Sequence, residues 1–153
     1  WVKQANNVII FGPSGVGKTH LAAAIGHRLA VQGVRVFFTQ TTTLVQKMQQ
    51  ARRDYKLPEL LSKLARFGLL ILDDIGYVKK NEAETSVLFE LIAERYEAHS
   101  LLITSNQPFG EWDQIFPDGV MAVAAIDRLV HHASIINIKD DSYRRRHSKA
   151  KAE

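Results

Sequence analysis

The chain of 153 residues carries 46% hydrophobic and 24% charged residues, a formal net charge of +4 and no cysteine. Its length fits one domain with a real core. The composition is that of a soluble globular protein, with no apolar run long enough to span a membrane and no signal peptide, which predicts a cytoplasmic protein without a membrane partner. The missing cysteines exclude disulfides, thiolate metal sites and cysteine nucleophiles together.

In chain order, Val8-Ile9-Ile10-Phe11 is a short apolar run stopped by Gly12-Pro13, which reads as a strand covered on both faces. Helical composition runs from Lys18 to a C-terminal stop at Gly33, and a strand follows from Val34 to Thr39. Thr43 with Gln46 three residues on predicts a capping box that opens a helix to Tyr55, and Pro58 starts a further short helix. A second apolar strand, Gly68 to Leu72, ends in Asp73-Asp74. Asn81 and Glu84 predict a capped helix to Glu97 with Leu88, Leu91, Ile92 and Tyr96 on its core side. Leu101 to Thr104 and Ser134 to Ile138 are the remaining strands, with helical stretches over Gly110–Phe116 and Val120–His132 between them. Strands alternating with helices specify a three-layer α/β domain around a parallel five-stranded sheet.

Gly12, Gly17, Lys18 and Thr19 satisfy G-x-x-x-x-G-K-[ST] with a strand before and a helix after. Glycines let the backbone wrap so that the loop from Pro13 closes over a phosphate at the helix's positive end, with the N–H groups of Ser14, Gly15, Val16, Gly17, Lys18, Thr19 and His20 converging on it. Lys18 adds a charge for the β- and γ-phosphates of ATP, and the Thr19 hydroxyl can ligate Mg²⁺. Asp73, at the tip of an apolar strand, supplies a carboxylate for the same ion. Asp74 faces another way and can polarise a water for attack on the γ-phosphate. Thr104-Ser105-Asn106 ends a strand that, inserted between the other two, brings Asn106 toward the γ-phosphate.

Through these residues the chain resembles the AAA+ ATPases, and among them the IstB-like transposition helper ATPases of bacterial insertion sequences, relatives of the DnaC helicase loaders. The matching stretches are "GPSGVGKTHLA", "LLILDDIGY", "ERYE", "LLITSNQPFGEW", "AAIDRLVHHASII" and "SYR". The resemblance implies Gly12 to Thr19 as Walker A, Asp73 and Asp74 as Walker B and Asn106 as sensor 1. It further implies Arg128 as an arginine finger for a neighbouring subunit and Arg144 or Arg145 near a sensor-2 position. Such helpers often carry Asp-Glu where this chain has Asp73-Asp74, a shorter base that implies slow hydrolysis, and a glycine before "SYR" where this chain has Lys139-Asp140-Asp141. The whole stretch, residues 1–153, then corresponds to the ATPase core, without the family's N-terminal adaptor-like domain and without a full C-terminal lid.

The basic excess is uneven. Between Leu44 and Arg66 stand Lys47, Arg52, Arg53, Lys56, Lys63 and Arg66 against Asp54 and Glu59. The resemblance places this segment where initiators and helicase loaders face nucleic acid, so Thr41, Thr42, Lys47, Arg52, Arg53 and Lys56 are expected to contact DNA phosphates without reading bases. His131-His132 is not expected to hold a metal, because adjacent side chains on a helix point about 100° apart and no acid is well spaced beside them. The function expected is ATP hydrolysis by a homo-oligomer assembled on DNA that recruits a transposase. The alternatives are a loader for a replicative helicase, a small-metabolite kinase, or a nucleotide-gated scaffold with little turnover.

Overall fold

The computed structural model describes residues 1–76, 81–116 and 118–139. Five strands, β1 (Asn7–Phe11), β2 (Val36–Gln40), β3 (Leu69–Asp73), β4 (Ser100–Ser105) and β5 (Ala133–Asn137), form one parallel sheet in the order β2-β3-β4-β1-β5. The helices are α1 (Lys18–Val31), α2 (Thr41–Arg53), α3 (Leu57–Leu64), α4 (Glu82–Arg95) and α5 (Gly119–Val130), with a 3₁₀ segment over Phe109–Gln114. This is the expected α/β sandwich, with β4 between the phosphate-loop strand β1 and the acid-bearing strand β3. Among the described residues no helix is long and apolar enough to cross a membrane.

Alternation along each strand splits the core in two. Ile9, Phe11, Leu70, Leu72, Leu101 and Ile103 pack toward α2, α4, α5 and the buried Trp112 and Phe116. Val8, Ile10, Leu69, Ile71 and Leu102 meet Ala22, Ile25 and Leu29 of α1 on the other face. Both faces of β1, β3 and β4 are therefore covered, which is why their sequences are continuous apolar runs, and each fully buried aliphatic side chain there stabilises the fold by about 1.5–3 kcal/mol. Gly26 lets α1 lie close on the sheet, since a Cβ there would stand 2.6 Å from Ile71 Cδ1.

The capping box predicted for Asn81 and Glu84 is present, with Asn81 Oδ1 accepting from Glu84 N at 2.9 Å and Glu84 Oε2 from Asn81 N at 2.8 Å. The box predicted at Thr43 and Gln46 is not. The helix opens three residues earlier, at Thr41 after an N-cap at Gln40 that makes no side-chain bond, so Thr43 falls inside it, and the buried Thr41 hydroxyl ties this start to Asp73 O of the neighbouring strand at 2.9 Å. Strand β2 also starts later than expected, since Val34 N closes the turn after α1 on Leu29 O. On α4, Leu88, Leu91 and Ile92 are buried as expected, but Tyr96 lies past the helix end and is only half-buried. Arg95 takes the interior position, donating to the carbonyls of Leu64, Phe67 and Ser100, and burial pushes its pKa down to about 10.

Candidate nucleotide-binding site

At the carboxyl ends of the strands a cleft of about 670 Å³ is lined by Ser14 to His20, Gln40, Asp73 and Asp74, a size within the range of small-molecule sites. The loop that forms it is tied down at its start. Gly12 N donates to Ser105 O, and a Cβ on Gly12 would meet Ile138 O at 2.9 Å, so only glycine fits between β4 and the chain leaving β5. Gly15 and Gly17 take φ of 84° and 95°, left-handed backbone that other residues adopt at a cost. The loop enters α1 through Gly17 with no side chain capping the helix, so its first amides have no side-chain partner and an anion can take that place.

Lys18 is buried, its Nζ donating to Gly12 O at 2.8 Å and Pro13 O at 2.9 Å. These carbonyl bonds hold the ammonium over the loop, from which it can exchange onto phosphate oxygens. Burial pushes the Lys18 amine below the ordinary lysine value, and the charges of Asp74 and then Asp73 pull it back up.

Asp73 is 4% exposed and its carboxylate gathers two hydroxyls. Thr19 Oγ1 donates to it at 2.9 Å from Oδ2 and 3.1 Å from Oδ1, and Thr104 Oγ1 donates to Oδ1 at 2.6 Å. A carboxylate accepts about four hydrogen bonds, so capacity remains for a hard cation, and the Thr19–Asp73 pair is an oxygen donor set of the kind that suits Mg²⁺. Thr104, fully buried, also accepts from Asp74 N at 2.9 Å. Asp74 itself sits half-buried at a φ of 55°, in the left-handed region, and lines the same cleft as Asp73.

The other expected residues are distributed as follows. Asn106 is exposed just past β4, its Oδ1 3.4 Å from where a Cβ on Gly76 would stand, and it does not line the cleft. Arg128 lies on α5, donating to Ala124 O at 3.0 Å with its guanidinium 5.1 Å from the centre of the Phe89 ring, also outside the cleft lining. Arg144 and Arg145 fall outside the described residues. Two contributors were not foreseen. Gln40 lines the cleft because it stands in register with Asp73, and Thr104 bridges the two acids. Both stand at the ends of strands, as Asp73 does, but only strand order and register bring them to the same site.

The basic segment divides as well. Lys47, Arg53 and Lys56 are exposed and Thr42 is half-buried. Arg53 donates to Gln50 Oε1 at 2.6 Å on its own helix. Arg52 turns inward to α4, bonding Glu90 Oε1 at 2.6 Å and Ser86 Oγ at 3.2 Å. Thr41 is a correction: its hydroxyl is buried against Asp73 O and is not available to a phosphate.

A parallel sheet with one strand between the phosphate-loop strand and the acid strand, and a lysine, a threonine and two aspartates around one cleft, defines an ATP-binding P-loop protein of the AAA+ class. The IstB-like ATP binding protein family matches residues 1–152, and the chain belongs to that family. An insertion-sequence ATP-binding protein of Sinorhizobium fredii is 59% identical over 146 residues, covering 95% of this chain and 49% of the relative. The chain thus spans about half the length of that curated relative. The solved structure of DnaI superposes with a TM-score of 0.77 at 25% identity, covering 90% of this chain and 76% of DnaI. The DnaC helicase loader superposes with a TM-score of 0.75 at 21% identity, covering 91% of this chain and 81% of DnaC.

Proposed function

We propose that this chain is the ATPase core of a helper protein for insertion-sequence transposition, which assembles with further copies on DNA, engages the transposase of its element and is reset by ATP hydrolysis. The observation that carries the hydrolytic part is the Lys18, Thr19, Asp73 and Thr104 cluster around one cleft. The relatives' link to insertion sequences supports the transposase partner.

In this reading the loop amides from Ser14 to His20 wrap the phosphates and Lys18 leaves the Gly12 and Pro13 carbonyls for the β- and γ-oxygens. Mg²⁺ held by Thr19 and Asp73 would supply positive charge against those oxygens. Asp74 orients a water and accepts its proton as the water's oxygen bonds the γ-phosphorus and the bond to ADP breaks. Asn106 approaches the same water when nucleotide closes the site. Arg128 leaves Ala124 O and the Phe89 ring for a neighbouring copy's γ-phosphate, a contribution worth about 10³ to 10⁵ in turnover where such fingers act. Lys47, Arg53, Lys56 and Thr42 meet the DNA backbone, giving sequence-independent, salt-sensitive binding.

ATP turnover measured with and without duplex DNA, over a range of protein concentrations, tests the assembly reading. Turnover that rises with both supports it, and turnover independent of both favours a monomeric kinase or a scaffold. Copurification with a transposase supports the helper role, and copurification with a replicative helicase instead supports a loader.

A further inference from the structure

The pair His131-His132 is not on a helix. Helix α5 ends at Val130, His131 is its cap residue and both histidines stand in the turn before β5. The acid missing from the local sequence arrives from elsewhere in the chain: Glu97, two residues beyond the end of α4, which packs against α5. One ligand atom from each of Glu97, His131 and His132 lies within 4.8 Å of the other two. Glu97 Oε1 is 3.7 Å from His131 Nδ1, and the two imidazole centroids are 4.1 Å apart.

Glu97 holds a φ of 56°, left-handed backbone at a helix end where glycine is the usual occupant. Tyr55 takes the same conformation after α2, so this is a common form of helix ending. His131 also has an orienting partner, with Tyr96 Oη 2.8 Å from its Nδ1. Nδ1 is also the nitrogen that faces Glu97, so an ion taken up there displaces the Tyr96 bond. The scaffold beneath is anchored, since Asn7 N donates to His132 O at 2.8 Å and Asn7 Nδ2 to Leu129 O at 3.1 Å.

The geometry points to a divalent transition-metal site at Glu97, His131 and His132, with solvent completing the coordination. Two imidazoles and one carboxylate are a donor set for Zn²⁺ and its neighbours in the first transition row. Ligand bonds of about 2.0–2.2 Å put donors roughly 3.3 Å apart in a tetrahedron, and all three side chains are exposed and free to turn through the remaining distance. An ion there joins the ends of α4 and α5 three residues beyond Arg128, and so restrains the helix pair that carries it. The site is separate in place and chemistry from the nucleotide cleft, and does not depend on it.

Co²⁺ titrated into the nucleotide-free chain, followed by visible absorption and then by Zn²⁺ displacement, is the test. The expected result is one tight equivalent with imidazole-type d–d bands, displaced by Zn²⁺, together with a rise in Tm on adding Zn²⁺. Glu97→Gln and His132→Ala should each weaken binding at least about ten-fold and abolish the rise in Tm, while His27→Ala, at an exposed histidine of α1, leaves both unchanged. The substituted side chains are exposed, and circular dichroism checks that each variant folds. Absence of the bands in the parent chain, or bands equally strong in Glu97→Gln and His132→Ala, would overturn the assignment.

Discussion

Thr104 Oγ1 donates to Asp73 Oδ1 at 2.6 Å and accepts from Asp74 N at 2.9 Å, so one buried hydroxyl sets the position of both acids at the end of β3. Thr104→Val keeps the shape and removes both bonds, one of them to the buried Asp73 carboxylate. The expected cost is about 1.5–3 kcal/mol in denaturant unfolding. ATP affinity should stay within a few-fold while turnover falls about ten-fold or more, and Thr104→Ser should restore it. Equal turnover in the Val variant and the parent would show that the hydroxyl serves folding alone.

Asp74→Asn tests the acid assigned to the attacking water. Asp73 keeps Thr19 and Thr104 in that variant, so nucleotide affinity should be retained and most hydrolysis lost, as read by equilibrium binding and phosphate release. Unchanged turnover rejects the role.

Lys18 gives the nucleotide affinity a pH dependence of defined sign. Its amine is depressed below the ordinary lysine value by burial and held up by Asp74 and Asp73. The charged form that binds phosphate is complete below the depressed pKa and lost as pH rises through it, before the ordinary value of 10.5 is reached. Affinity should therefore decline with rising alkalinity in that window. Asp74→Asn removes the larger of the two raising charges, so the decline should begin at lower pH. An onset that does not move would mean another group controls it.

Arg128→Ala removes a guanidinium that, among the described residues, meets Ala124 O and the Phe89 ring. Nucleotide affinity should be retained and the stimulation of hydrolysis by assembly lost. Mixing the variant with a Lys18→Ala chain should recover part of the activity, since each supplies what the other lacks. If Arg128→Ala weakens nucleotide binding as much as turnover, the residue acts within its own fold.

Alanine at Lys47, Arg53 or Lys56 should lower the slope of log affinity for duplex DNA against log salt by up to about 0.9 for each phosphate that is no longer neutralised. Arg52→Ala should leave that slope unchanged, because its guanidinium is engaged by Glu90 and Ser86. Its effect falls instead on stability, by less than about 1 kcal/mol for a pair this exposed. Fluorescence anisotropy over a salt series separates the two, and a lowered slope for Arg52→Ala would contradict the division.

Helices α1 and α4, strands β1, β3 and β4, and the glycine-lysine-threonine turn were legible from residue order because their determinants are local. Continuous apolar runs mark strands covered on both faces, Asn81 with Glu84 marks a helix start, and glycines mark left-handed turns. The capping box at Thr43 is absent because the helix opens at Thr41, whose hydroxyl is tied to Asp73 O, 32 residues away in the chain. The interior place of Arg95 was illegible for the same reason, its three acceptors belonging to other segments.

By itself the sequence determined the class of fold, the phosphate loop and the pair of acids, all of which depend on backbone conformation and on runs of a few residues. Tertiary structure alone decided that Thr104 joins those acids, that Gln40 faces the same cleft, that Arg52 belongs to α4, and that Glu97 meets His131 and His132. The reason is physical. Strand order and helix packing bring together side chains distant along the chain, and neither periodicity nor spacing encodes which polar group a neighbouring element will present.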